Sequence, residues 1–389
     1  MRIDKNTTIR LGDRNIVKVK LGDVVIWQKT TEPVVGPDYF YIENTYAGEN
    51  TISLKDNESF ALLRDLQYSK DKDNWTTFTP STTALDISLN QGEKLYIRGS
   101  ENKGYVRLKI SGSQAHIVGG NINTLINYED PNNVTLFQFA FVHLFDGDKN
   151  LTSASNLTLP ATTLANNCYS SMFSGCHSLT TAPALPATTL ANNCYSSMFS
   201  NCNSLTTAPK LPATTLKFKC YSNMFSGCSS LTTAPELPAT TLANSCYQYM
   251  FDICSSLTTA PELPSTTLEV SCYESMFHFC SSLTTAPELP ATTLAPYCYN
   301  GMFDGCGSLT TAPELPALAL ADSCYQSMFS NCNSLNNITV YAHDISALDC
   351  TTDWLLGVAS EGTFNNYGYA TYTTNSPSGI PSGWTEVKS

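Results

Sequence analysis

Fourteen of the fifteen cysteines fall in pairs eight residues apart, at 168/176, 194/202, 220/228, 246/254, 272/280, 298/306 and 324/332, and each pair follows the last by 26 residues. The unit reads LPATTLANNCYSSMFSGCHSLTTAP plus one variable residue, and seven copies run from Leu159 to Leu335. A fixed period of this length marks a stacked repeat architecture, in which no unit buries its apolar face alone. Within a unit Cys168, Met172, Phe173 and Cys176 have the spacing of one face of a short helix, and Tyr169 precedes Phe173 by four. Thr162 or Thr163 is positioned to cap its start and Gly175 to end it. Leu179 to Ala182 reads as a short strand, limited to about four residues because Pro183 and Pro186 lack a ladder donor. The expectation is an α/β solenoid over residues 159–337, with a thin parallel sheet on one side and short helices on the other.

The flanks read as caps. The stretch from Phe145 to Leu151 matches the block from Phe173 to Leu179, but two extra residues before Leu159 shift its register, and Asp148 stands at the place of a second cysteine. A degenerate, more charged first unit suits an N-terminal cap, assigned to residues 119–158. Asn336 to Val340 replaces the TTAPE segment with a proline-free strand, and residues 338–389 are expected to close the other end.

The N-terminal third has a different grammar. Residues 7–29 contain LGD twice, with apolar Ile16, Val19, Leu21, Val24, Ile26 and Trp27, so residues 1–31 are expected to form a β-hairpin. Residues 30–37, TTEPVVGP, read as a linker. From 38 to 118, six short β-rich runs (YFYIEN, NTISL, DLQYS, ALDISL, KLYIRG, YVRLKI) are broken by Gly, Asn and Asp, which suggests an immunoglobulin-like sandwich.

Charge narrows the partners. The net charge is -12, with 21 Lys+Arg against 33 Asp+Glu, and every arginine lies at or before Arg107. The acidic repeats would repel a phosphate backbone, so no nucleic-acid partner is expected. No run of 18 apolar residues occurs, so membrane insertion is not expected. The first residues show no apolar signal core and the first cysteine is Cys168, which leads us to expect assembly in a reducing cytoplasm with free thiols.

Little of the sequence points to catalysis. Cysteines eight apart do not match zinc spacing. Free thiols stacked in register fit core packing, with intra-repeat disulfides or a metal as the alternatives. The five histidines stand in no arrangement that implies a nucleophile, and no phosphate-binding glycine loop occurs, so neither enzyme activity nor a cofactor is expected. Glu236, Glu262, Glu288 and Glu314 share one repeat position and form a single-file ladder, either solvated or bridged by a cation. Comparison among the seven copies shows that Cys, Tyr, Met, Phe and Leu hardly change, whereas the presumed outer positions vary. There Lys217, Phe218, Lys219, Tyr249, Ile253, Val270, His278, Phe279 and Tyr297 are the candidate ligand-binding residues, with drift of surface positions as the alternative.

The run CYSSMFSGCxSLTTAP resembles the BspA-type leucine-rich repeat, which implies a repeat scaffold for binding. Its dialect, with WLLGVASEGTF and GIPSGWT near the end, is similar to proteins of Bacteroidales bacteria and of the crAss-like phages that infect them. The opening VxLGDxxIW run resembles N-terminal pieces of virion proteins from such phages, where it attaches a fibre or tail component. The resemblance implies a non-enzymatic virion protein of the head or tail. It would dock on other virion proteins through Ile16, Val19, Leu21, Val24, Ile26 and Trp27, form a homo-oligomer (a trimer favoured) and present the repeats to a host surface glycan or protein. A bacterial surface adhesin and a cytoplasmic protein-binding scaffold are the alternative readings.

Overall fold

The computed structural model describes residues 9–11, 14–16, 18–21, 24–28, 38–58, 64–99 and 106–388, and of the strands before residue 29 it describes the backbone. The chain divides into two compact units, Met1–Asp38 and Tyr39–Ser389.

In the first unit β1 (Ile9–Leu11) pairs antiparallel with β2 (Arg14–Ile16), and β3 (Lys18–Leu21) with β4 (Val24–Gln28). The sequence suggests one hairpin and the structure has two strand pairs. Leu11 faces Arg14 and Leu21 faces Val24, so the leucine of each LGD closes its own pair. Ile16, Val19, Leu21, Val24, Ile26 and Trp27 lie on these strands, and their side chains fall outside the described residues.

The second unit opens with two sheets. The six anticipated runs become β5 (Tyr41–Asn44), β6 (Asn50–Lys55), β7 (Leu66–Ser69), β9 (Leu85–Leu89), β10 (Lys94–Arg98) and β11 (Lys109–Gly112), joined by β8 (Thr76–Phe78) and β12 (His116–Asn121). With β13 (Leu151–Thr158) they give one sheet in the order β13-β12-β5-β10-β7-β8 and a second in the order β11-β6-β9. Alternation puts Phe40, Ile42, Leu95 and Ile97 of one sheet and Ile52, Leu54, Leu89 and Ile110 of the other in the core. β12 pairs parallel with β13, and Ser153 of β13 bridges Thr181, so the larger sheet runs on into the repeats. Asp148 is buried at this junction. Its carboxylate lies 2.9 Å from Nε2 of buried His116 and accepts from the amides of Gly112 and Asn150, groups that a cysteine there could not satisfy as fully.

The repeats contain no helix, which corrects the expected α/β class: the chain is mostly β, with two short 3-10 segments, Ile122–Leu125 and Pro131–Asn133, in its described part. Residues 165–176 instead form overlapping four-residue turns. Every second amide bonds three residues back, as from Met172 to Tyr169 O (3.2 Å) and from Cys176 to Phe173 O (3.1 Å). The amides between them donate to the next coil: Tyr169 to Cys194 O (3.0 Å), Ser171 to Ser196 O (2.9 Å), Phe173 to Met198 O (2.9 Å). Asn167, Ser171 and Gly175 are left-handed, at φ of 57°, 53° and 70°. An α-helix cannot hold such a residue every fourth position, whereas a type II turn requires one. The expected helix cap at Thr162 or Thr163 and the stop at Gly175 therefore do not exist as such.

The same spacing of apolar residues serves this turn ladder as well as it would a helix. Cysteines, Met and aromatic residues point inward, and the rings stack coil upon coil. One column runs from Phe141 through Tyr169 and its equivalents to Tyr325 and Trp354, with centroids 5.7–6.5 Å apart. The other runs from Phe145 to Phe329 at 5.2–5.7 Å. All fifteen cysteines are free and buried. The second thiol of each unit donates to the carbonyl of a phenylalanine one coil back, for example Cys202 to Phe173 O (3.1 Å) and Cys254 to Phe225 O (3.1 Å). On the other side the expected strand contracts to single parallel bridges between threonines, Thr181 to Thr207 to Thr233 to Thr259 to Thr285, because the prolines stop the ladder. Where they are absent true strands return: β14 (Asn337–Val340), β15 (Gly362–Asn366) and β16 (Trp384–Lys388) form a parallel sheet.

Candidate functional site

The left-handed positions recur in three columns along the coils, beginning at 167, 171 and 175 and repeating every 26 residues. Their usual occupants are Asn, Ser and Gly, residues that reach positive φ at little cost or are short enough to tolerate it. Five bulky residues break this habit: Lys219 (φ 50°), Tyr249 (56°), Ile253 (58°), Phe279 (53°) and Tyr297 (58°). They sit in consecutive repeats, the third to the sixth. A β-branched isoleucine at such an angle is a steric outlier, and Ile253 is also 50% exposed. Phe279 (48%), Tyr297 (44%) and Phe218 (43%) are comparably exposed, Val270 less so, and Tyr249 is half-buried. The five left-handed side chains are thus both strained and incompletely buried, whereas Phe218 and Val270 are exposed without that strain.

Local contacts fix their geometry. The ring of Phe279 lies across the next coil over Gly305, where an added Cβ would come within 2.6 Å of it. His278 stands in a column of serines as the middle of three charged groups: its Nδ1 is 2.7 Å from Asp252 Oδ1 and its Nε2 3.9 Å from Asp304 Oδ2. The hydrogen bond to Asp252 raises the His278 pKa above its ordinary value, against the opposing effect of burial. His278 also packs edge-on against Phe279, 4.3 Å between centroids. Lys219 Nζ lies 5.5 Å from the Phe218 ring, and Lys217 is exposed beside them. The candidates thus fall on the turn side of the coils, Phe218 and Val270 at one repeat position and the rest in neighbouring columns. Asp252 and Asp304, which organise His278, were not among them; their signal was the break in a serine column.

The thiols belong to the core. Burial pushes Cys194, Cys228, Cys272 and Cys332 up to about 12, so none is a thiolate near neutral pH. The acidic ladder lies at another repeat position, in the PELP segments. There Glu236 and Glu262, Glu262 and Glu288, and Glu288 and Glu314 flank three successive proline-walled grooves of about 440, 420 and 380 Å³. All four carboxylates are exposed, and among the described residues no three His, Cys, Asp or Glu side chains converge on a metal position.

Coils bonded at 26-residue intervals, with an invariant core and a variable, partly apolar outside, define a stacked repeat protein. Residues 145–235, 194–315 and 244–348 match the BspA type leucine rich repeat region, in six copies that together span just over half of the chain. The chain belongs to that family. No curated protein and no solved structure matches it.

Proposed function

We propose that this is a non-enzymatic bacteriophage virion protein, a head or tail fibre or decoration component that uses its repeats to bind the host surface. In this reading the seven repeats act as one stiff solenoid. The β-rich region before them is an immunoglobulin-like sandwich, and residues 1–31 dock the protein on other virion proteins. The observation that carries the binding role is the placement of Lys219, Tyr249, Ile253, Phe279 and Tyr297 at left-handed positions that other repeats fill with Asn, Ser or Gly. Each such residue costs about 1–2 kcal/mol of backbone strain, and an apolar one adds the cost of its exposed surface. Strain of this kind gathers where function maintains it. Phe218 and Val270 extend the patch, and Lys217 and His278 give it a polar margin.

Aromatic groups on a rigid array contribute contact area while losing little rotamer freedom, which suits a glycan or protein of the host surface. Many copies on a particle, each a homo-oligomer with a trimer favoured, would bind by avidity even where each site is weak. The virion assignment rests on the VxLGDxxIW run and the repeat dialect, and implies assembly in the cytoplasm of the host bacterium. The test replaces Phe218, Tyr249, Phe279 and Tyr297 together by serine and compares adsorption of particles carrying equal amounts of either protein. Adsorption should fall while the repeats stay folded. Unchanged adsorption would leave the protein a purely structural role.

A further inference from the structure

The sheet that precedes the repeats carries a second cluster of aromatic and cationic side chains, built differently from the patch on the coils. Residues of β5 and β10 alternate, so Ile42, Leu95 and Ile97 turn inward while Tyr41, Tyr96 and Arg98 share the outer face. Tyr41 is the cross-strand partner of Tyr96, and Arg98 that of Gln67 on β7. The Arg98 guanidinium lies 3.8 Å from the ring centre of Trp75 and 4.0 Å from that of Tyr128, with Tyr39 at 5.8 Å. Its Nε donates to Gln67 Oε1 (2.9 Å) and one Nη1 proton to the Tyr39 hydroxyl (3.3 Å). Of five N–H donors, those two are used, which leaves one Nη1 and both Nη2 protons with no protein acceptor among the described residues.

Ring and backbone bonds hold this cage, among them Tyr128 Oη to Glu129 Oε1 (3.3 Å). Trp75 Nε1 donates to Lys72 O (2.8 Å), fixing the indole just ahead of β8. Tyr128 is tied to the end of β10 by its amide on Gly99 O (3.0 Å), and Gly99 in turn donates to Thr124 O (2.9 Å). That approach requires a glycine, since a Cβ at residue 99 would sit 2.2 Å from Leu125 O. The guanidinium is therefore pre-organised between two planes, so little freedom remains to be lost when an anion meets it. Beside it Lys94 and Lys72 lie over the Tyr41 and Tyr96 rings at 4.0 and 4.6 Å.

We propose that this face is a binding site for a carboxylate-bearing polysaccharide, with the Arg98 fork on a uronate carboxylate and the surrounding rings against the apolar faces of the sugars. An arginine fork matches a carboxylate bidentately, and tyrosine and tryptophan supply contact area with a polar edge. Charge complementarity favours a sparsely charged chain. Lys94 is already paired with Glu43 at 3.2 Å, Asp71 and Asp73 flank Lys72 in sequence, and the protein carries a net charge of -12. A polynucleotide, with a phosphate on every residue, would need several unpaired cations that this face lacks.

The test uses the intact chain, with hyaluronan, which carries a uronate carboxylate on alternate sugars, as probe, dextran as neutral polysaccharide and an oligothymidylate as the competing polyanion. Wild-type protein should bind hyaluronan and not dextran, and Arg98→Lys should weaken binding roughly ten- to hundredfold, the range for losing one charge-assisted pair. That substitution keeps the charge and the stacking stem and removes the fork, and a circular dichroism spectrum and denaturation midpoint matching the wild type establish that it folds. Serine at Phe218, Tyr249, Phe279 and Tyr297 should leave hyaluronan binding unchanged, which separates this site from the patch on the repeats. Absence of hyaluronan binding, undiminished binding by Arg98→Lys, equal binding of dextran or tighter binding of the oligothymidylate would each overturn the proposal.

Discussion

Replacing Ile253 with asparagine should not destabilise this protein, although the change puts an amide in place of a large apolar group. Ile253 is 50% exposed, so about half of its burial energy, on the order of 1 kcal/mol, is lost. Against that stands a φ of 58° on a β-branched residue, worth about 1–2 kcal/mol of strain relative to a residue that tolerates the left-handed region. Asparagine already fills this column at Asn201 (φ 58°) and Asn331 (φ 57°), where it makes bonds of its own, as from Asn331 Nδ2 to Asp304 Oδ1 at 3.0 Å. The expected balance lies between zero and about 1 kcal/mol of stabilisation. Val270→Asn is the control, because Val270 is 39% exposed and is not among the residues with positive φ; with no strain to relieve, it should be destabilising by on the order of 1 kcal/mol. Urea denaturation followed by circular dichroism, with equal m-values, reads both. A loss of about 1 kcal/mol or more in Ile253→Asn would refute the argument from backbone strain, and with it the main physical reason for placing a binding surface there.

Two further outcomes follow from the titrating groups. Burial lifts the repeat thiols, with Cys194 and Cys228 at about 12, so alkylation of the native protein at pH 8 should be slow. Cys350, whose thiol is raised less, should react first; rapid labelling of several repeat cysteines without unfolding would contradict the buried ladder. For His278 the folded pKa exceeds the unfolded value because Asp252 accepts its proton and Asp304 adds charge. Its contribution is complete below the unfolded pKa of about 6.5 and fades as pH rises through the higher folded one. The stability difference between wild type and His278→Gln should therefore be larger at pH 5.5 than at pH 8.5, and a difference that grows with pH would disprove this assignment.

The sequence revealed which residues of each unit face inward and at what interval the units meet, because Cys, Tyr, Met and Phe recur every 26 residues. It misled about the backbone between them. Positions 168, 172, 173 and 176 lie on one side both of a helix and of a run of four-residue turns, so hydrophobic spacing alone does not separate the two. The discriminating signal was in Asn167, Ser171 and Gly175, poor helix residues spaced by four that the turns use at positive φ. Read that way, Ile253 and Phe279 become exceptions to a backbone rule rather than variable surface residues. The cage of Tyr39, Trp75, Arg98 and Tyr128 had no sequence signal at all, since its members come from segments up to 89 residues apart that only strand pairing and the loop at Gly99 bring together.

The amide bonds on the turn side have an electrical consequence. From Phe139 to Asn166, Asn167 to Asn192 and onward to Ser323 and Leu348, every inter-coil donor in that column points toward the C-terminal end, and the neighbouring columns run the same way. Peptide dipoles of about 3.5 D that align in this manner add, as they do in an α-helix, instead of cancelling as in most sheets. The turn side is thus polarised along its length, negative where Phe139 begins it and positive at the last coil, where the Asp353 amide donates to Pro377 O (2.8 Å) and those of Thr351, Leu355 and Gly357 have no backbone acceptor among the described residues. An otherwise acidic array therefore carries a fixed field that attracts anions toward one end, and each added repeat lengthens the columns that generate it.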